Sequence, residues 1–329
     1  MNELELSLAI HDYDHTRDLV SGRITVPGIR LRPIPLEPPE INGRFSQYRE
    51  WHVSEFGLGK YVAQKAAGDT SITAIPVFPA RTFRQSCIYV RTDSDLDRPE
   101  QLAGRRVGIP EWAQTAVVYV RGFLVHHYGV DLASVEWHQA GVSAPGRVEK
   151  VSVELPAGVS VTRHPDTTLE ALLFAGELDA LVTAQPPAAF VARDPGIRRL
   201  LADPRAEEEA YYAATGVFPI MHTIAIRQDV LDANPWVAIN LLRGFERAKR
   251  ASYERLEDAM APRLPLPFAS DDFARARVLF GDDLYPYGVE PNRTTLQALL
   301  DFAFEQGVAR RRLEVEELFA PTTIRALPL

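Results

Sequence analysis

The stretch RRVGIPEWAQTAVVYVRGFLVHHYG, residues 105–129, decides the architecture. RRVGIP (105–110) reads as a short strand, and EWAQTAVVYVRGFLVHHYG (111–129) as a helix that Gly129 stops from the C′ position. A strand that empties directly into a helix is the unit of an α/β protein. The start of that helix turns free backbone N–H groups and the positive end of its dipole toward whatever lies there, which makes residues 111–115 a candidate anion site.

Outward from this unit the same alternation continues. ELELSLAI (3–10), GIRLRPIPL (28–36), SITAIPVF (71–78), SCIYVRT (86–92), residues 134–138 and PIMHTIAIR (219–227) read as strands. HTRDLVSG (15–22) and residues 55–67, 270–280, 292–306 and 313–319 read as helices, and 139–158 as a polar loop. DTTLEALLFAGELDALVT (166–183) supplies a capping box from Thr167 and Glu170, a helix, a stop at Gly176 and a strand with Asp179 at its start. Asn234 and Pro235 open a long helix whose Val237, Leu241, Leu242, Phe245 and Ala248 share one face. No repeat, low-complexity tract or flexible linker interrupts the 329 residues, enough for two lobes. The chain is therefore expected to cross between lobes on ordered strands, near 86–92 and 219–226.

With 46% apolar and 24% charged residues the chain is globular, and 25 prolines stiffen its turns. A net charge of -8 gives no electrostatic footprint for nucleic acid. No run of about 18 apolar residues suggests a membrane span. Cys87 is the sole cysteine, so neither an internal disulfide nor a cysteine-based zinc site can form. With the acidic start MNELELSLAI, this predicts a cytoplasmic location.

No GxGxxG, Walker A, HExxH or GxSxG motif is present. Three segments instead concentrate polar and aromatic residues between turn formers: AIPVFPARTFRQS (74–86), YYAATGVFPIMH (211–222) and YPYGVEPNR (285–293). Arg81 and Arg84 lie beside Phe78 and Phe83, a setting for planar, bidentate recognition of carboxylate with rings to stack on an aromatic ligand. His222 stands where a loop enters a strand, and its imidazole can give or take a proton near neutrality. Tyr211, Tyr212 and Thr215 are either a pocket lining or ordinary packing, and His52 sits in EWHVSEF with Ser54 and Glu55. HDYDH (11–15) gathers His11, Asp12, Asp14 and His15 without a recognised metal-ligand spacing, while His126 and His127 point apart from one helix and read as structural.

Taken in order, YD (13–14), VSE (53–55), PVFPARTFRQS, RRVGIPEWAQTA, GELDA (176–180), YYAATGVFPIMH and PYGVEPNR (286–293) resemble the 4,5-dihydroxyphthalate decarboxylase family across almost the whole chain. The chain departs from that pattern at His52, where an acidic residue is expected, at His15, where a basic one is expected, and at Gln85, where the family carries His. The resemblance implies a two-lobed α/β fold like that of type II periplasmic binding proteins, with a ligand cleft between lobe 1 (1–88 plus 226–329) and lobe 2 (89–225). It also implies non-oxidative decarboxylation of a dihydroxylated aromatic dicarboxylate, giving protocatechuate and carbon dioxide. That chemistry needs no organic electron sink.

On this reading Arg81 or Arg84 anchors the retained carboxylate, helped by the helix start at Gln114 and Thr115. His222 is the first candidate proton donor and His52 the second. Glu55, Tyr211 or Tyr287 orders or deprotonates the phenol, with Gln85 and Thr215 at pocket positions. Arg293 is either a further carboxylate contact or a partner of Glu290, and the Trp51 or Trp112 ring would strip water from the leaving carboxylate. No cofactor is expected; a divalent metal on His11, Asp12, Asp14, His52 or His222 is the variant. The partner is a small aromatic dicarboxylate, with self-association plausible for such an enzyme. The competing class is a solute-binding protein that captures an organic acid without chemistry.

Overall fold

The structure, a computed structural model, describes residues 3–258, 260 and 265–326. Among the described residues, eleven strands form two mixed sheets. β1 (Leu4–Ile10), β2 (Ile29–Pro35), β3 (Val53–Gly57) and β4 (Ile72–Ile75) enter the first sheet. β5 (Ile88–Arg91), β6 (Arg106–Ile109), β7 (Glu136–Gly141), β8 (Val161–Thr168), β9 (Ala180–Val182) and β10 (Ile197–Arg199) build the second. β11 (His222–Arg227) returns to the first sheet and inserts between β3 and β4, antiparallel to both. The strand orders are β2-β1-β3-β11-β4 and β10-β5-β9-β6-β7-β8, which makes a two-lobed α/β fold.

Local sequence explains these placements. The five residues of β3, VSEFG, are all buried because the strand is central and covered on both faces. That burial places residues 55–57 in a strand, so the helix expected over 55–67 starts only at Leu58 and runs to Ala66. The helix Thr115–His126 has every residue from Thr115 to Leu124 buried, since it packs against the helices Leu58–Ala66 and Arg293–Glu305 that flank the first sheet. Gly122 permits that approach: a Cβ there would stand 2.2 Å from the Phe302 ring. The two sheets thus share one continuous apolar core, with a smaller cluster around Tyr89, Leu169 and Leu181 in the second lobe.

Two segments carry the chain between the sheets, and they pair with each other. Met221 N donates to Ala80 O at 2.8 Å, Thr82 N donates to Pro219 O at 3.2 Å, and Arg81 bridges Ile220. The crossing is therefore a short antiparallel ribbon of residues 80–82 and 219–221, ahead of the strand β5 expected to carry it.

Candidate active site

A cavity of about 650 Å³ opens where the carboxyl ends of β1, β3, β6 and β9 face one another, the usual ligand position in open α/β sheets. The crossing ribbon supplies Ala80, Arg81 and Met221, and the residues just beyond it add Arg84 and His222.

His222 opens β11 directly opposite Gly57 of β3. Its Nδ1 is hydrogen-bonded to Glu55 Oε1, which leaves Nε2 for the cleft. Glu55 has no solvent exposure and accepts three hydrogen bonds: from His222, from the Tyr13 hydroxyl at 2.6 Å and from His11 N at 2.9 Å. Burial alone would raise the Glu55 pKa, but the His222 charge and these donors outweigh it and hold the carboxyl below its ordinary value. A carboxylate so held fixes the tautomer and the orientation of the imidazole. Burial and the same carboxylate raise the Tyr13 phenol, which stays a donor.

Two groups of cations line the cleft. Arg81 is buried, its guanidinium stacked 4.5 Å from the Phe218 ring and donating to Asn292 Oδ1 at 2.7 Å and Phe218 O at 2.8 Å. It has no ion-pair partner among the described residues, and burial pushes its pKa down to about 10. Arg84 donates to Met221 Sδ at 3.1 Å and reaches Ala184 O at 3.5 Å, also without an acid in ion-pair range among the described residues. Across the cleft, Lys60, Arg147 and Lys150 surround the buried Glu111 at 3.0, 2.6 and 3.5 Å. Beside them, Glu149 accepts from Trp112 N at 2.5 Å and Ala113 N at 3.3 Å, and burial with the nearby Glu111 charge raises its pKa. Three basic side chains thus face two acidic ones along this wall, with burial working against the charged forms of both Glu149 and Lys60. The start of the helix Thr115–His126 joins it, with Gln114 and Thr115 lining the cleft and Thr115 Oγ1 accepting from Gly59 N at 3.0 Å.

His222, Arg81, Arg84, Gln114 and Thr115 thus meet in one cavity, with Glu55 immediately behind. The remaining sequence candidates lie elsewhere. His52 bonds Ser7 Oγ at 2.9 Å at the far end of β3, roughly 16 Å of extended chain from Gly57. Gln85 is buried behind Arg84, accepting from its N–H at 3.2 Å. Trp112 belongs to the core, where Arg121 stacks 3.6 Å from its ring and its Nε1 donates to Gln306 O. Trp51 is likewise buried, stacked against Phe45. Tyr211 packs against Phe123 and His127, and Thr215 hydrogen-bonds back to Tyr211 O within the same helix. Tyr287 is fully buried under Lys249, and Arg293 pairs with Glu290 and Glu316 on the surface. The metal variant loses its cluster: Asp14 binds Ser252 and Arg255, His52 binds Ser7, and among the described residues no three His, Cys, Asp or Glu gather as a metal-binding group.

The cleft also contains residues that sequence reasoning did not assign to substrate. Lys60, Arg147 and Lys150 come from a helix and a loop with no common motif, and only the fold joins them. Tyr13 was visible in YD as a motif fragment, and His15 as a departure from the family pattern at a pocket position with no role assigned to it. Tyr285 lies in the singled-out YPYGVEPNR, two residues before Tyr287; its hydroxyl donates to Arg81 O at 2.9 Å. His15 Nε2 faces Pro79 O at 3.0 Å, and its ring lies between those of Tyr13 and Tyr285, at 5.3 and 5.4 Å.

No protein-family model matches the sequence. Among curated proteins, the chain is 35% identical over 330 residues to 4,5-dihydroxyphthalate decarboxylase of Comamonas testosteroni, covering both chains in full. It is 36% identical over 215 residues to the protein of the same name from Pseudomonas putida, covering 65% of this chain and 83% of the relative. Among solved structures, the periplasmic aliphatic sulphonate binding protein SsuA from Escherichia coli superposes with a TM-score of 0.55 at 12% identity, covering 99% of this chain and 100% of that one, a likeness of fold. Full-length identity to the decarboxylases, on a binding-protein fold whose cleft is lined by residues of several of the quoted motifs, shows that the chain belongs to the 4,5-dihydroxyphthalate decarboxylase family.

Proposed function

We propose that the protein is a carboxy-lyase that removes one carboxylate from 4,5-dihydroxyphthalate without oxidation, giving protocatechuate and carbon dioxide. One observation carries this reading: a histidine backed by a buried carboxylate opens into a cleft flanked by two separate groups of cations. A dicarboxylate presents two anions to those groups. Arg84, with no acid in ion-pair range among the described residues, anchors the retained carboxylate, and the Lys60 wall with the helix start holds the far side of the ligand. His222, protonated and steadied by Glu55, delivers a proton from Nε2 to the ring carbon that bears the departing carboxylate. The hydroxyl para to that carbon takes up the positive charge, and cleavage of the carbon–carboxylate bond returns its electron pair to the ring. Arg81 shapes the floor through Asn292 and the Phe218 ring.

The two lobes, expected as 1–88 with 226–329 and 89–225, would close on the ligand about the 80–82/219–221 ribbon, which puts all of β11 from His222 onward on the lobe 1 side. The reading places the enzyme in a reducing compartment, the cytoplasm, in keeping with an unpaired Cys87. A homo-oligomer and independence from nucleic acid belong to the same reading. No helix among the described residues is long and apolar enough to cross a membrane.

The test is incubation of purified, chelator-treated protein with 4,5-dihydroxyphthalate, following product chromatographically together with released gas. Protocatechuate and carbon dioxide in equal amounts are expected. Tight binding without product would instead make the protein a solute binder.

A further inference from the structure

His15 is arranged as a hydrogen-bond acceptor. A carbonyl oxygen can only accept, so the 3.0 Å contact with Pro79 O puts the ring hydrogen on Nε2 and leaves Nδ1 as a bare lone pair. Nδ1 has no partner among the described residues and is not sealed away from solvent, while the residue lines the cleft. The rings of Tyr13 and Tyr285 on either side fix the imidazole plane. Pro79, whose carbonyl sets the tautomer, lies two residues before Arg81 in the crossing ribbon. Burial pushes the His15 pKa down to about 4, so the ring is neutral at physiological pH. Tyr13 links this acceptor to the proton donor, because its hydroxyl and His222 share Glu55 Oε1.

We propose that His15 Nδ1 receives the hydrogen of the substrate hydroxyl para to the departing carboxylate, making His15 a catalytic residue that selects hydroxylated rings. The inference rests on the decarboxylase reading and deepens it. As His222 Nε2–H protonates the ring carbon, the hydroxyl proton passes to His15 Nδ1 and the ring becomes a dienone. The carbon–carboxylate bond then breaks, carbon dioxide leaves, and the bond's electron pair restores the aromatic ring as a phenolate. That oxygen recovers its proton from His15, and His222 is reprotonated by solvent. One proton is consumed for each carbon dioxide released.

The test compares wild type with His15→Phe, which keeps a packed ring without an acceptor, and with His15→Gln. Calorimetry measures binding of 4,5-dihydroxyphthalate and of phthalate, the same dicarboxylate without hydroxyls. For wild type, tighter binding of the hydroxylated ligand is expected. In His15→Phe that preference is lost, the phthalate Kd stays within about 2-fold, and turnover falls ~10²–10⁴-fold, the usual weight of a positioned acid or base. His15→Gln, whose amide oxygen accepts a hydrogen bond but not a proton, recovers the binding preference and not the rate. Wild-type turnover in His15→Phe, or equal weakening of both ligands, overturns the role. If wild type binds both ligands and makes no product, the decarboxylase reading fails, while the binding preference still decides whether His15 reads the hydroxyl.

Discussion

Glu55 is a buried carboxylate with three donors turned on it, and its energetics and its chemistry have the same source. The native state binds its proton more weakly than the unfolded chain, since the folded pKa lies below the ordinary 4.5. Its stabilising contribution is therefore fully present above about pH 4.5 and is lost as the pH falls through the lower folded value. Melting curves between pH 3 and 7 should show the wild-type Tm falling steeply below about 4.5, and Glu55→Gln should flatten that limb. Equal slopes would mean that Glu55 is not held as an anion. Arg84 permits a cleaner separation than Arg81, whose guanidinium also ties Asn292 and the Phe218 carbonyl into the fold. Losing a hydrogen bond to a charged group costs about 1.5–3 kcal/mol, so Arg84→Ala should raise the substrate Kd by about 10- to 100-fold. An unchanged Kd and KM would remove it as the anchor.

At the scale of elements, the helix Thr115–His126 brings its first turn to the cleft, and a single glycine seats it. Gly122→Ala would drive a methyl group into the Phe302 ring, 2.2 Å from the new Cβ. Overpacking of this kind should lower stability by about 1–3 kcal/mol, readable as a shift in the urea midpoint. An unshifted midpoint would mean that the two helices are free to part. This helix and the strand β6 before it were legible because 105–129 switches abruptly from a short β-branched run to a long apolar helix, although the helix starts at Thr115 rather than Glu111 and its C-cap is His127, two residues before Gly129. The long helix Trp236–Glu257 was equally clear, and all five residues assigned to its inner face are buried. The strand β3 was obscured because VSEFG runs straight into an apolar helix, so no change of period marks the boundary. The helix Pro38–Tyr48 opens on two prolines, which mask its start in the sequence. The expected capping box of Thr167 and Glu170 does not form: Thr168 alone caps the helix, accepting from Ala171 N, while Glu170 accepts from Ala189 N.

For the whole molecule, the resemblance carried by short motifs located the cleft, because those motifs fall on the crossing ribbon and the strand ends. Which motif residues face the ligand was a different question. Tyr211, Thr215, Gln85 and Tyr287 stand close in sequence to cleft residues, yet helix phase and loop path turn Tyr211, Gln85 and Tyr287 into the core and leave Thr215 half-buried, bonded back to its own helix. Lys60, Arg147 and Lys150 left no signal because lysines and arginines scattered over 90 positions acquire meaning only when two lobes bring them around Glu111. The central claim is that this assembly works through the proton on His222. The most direct measurement is a paired determination of kcat and substrate Kd for His222→Ala against wild type, with 4,5-dihydroxyphthalate as substrate. The account predicts that kcat falls ~10²–10⁴-fold while Kd moves by no more than about 3-fold; an unchanged kcat would contradict it.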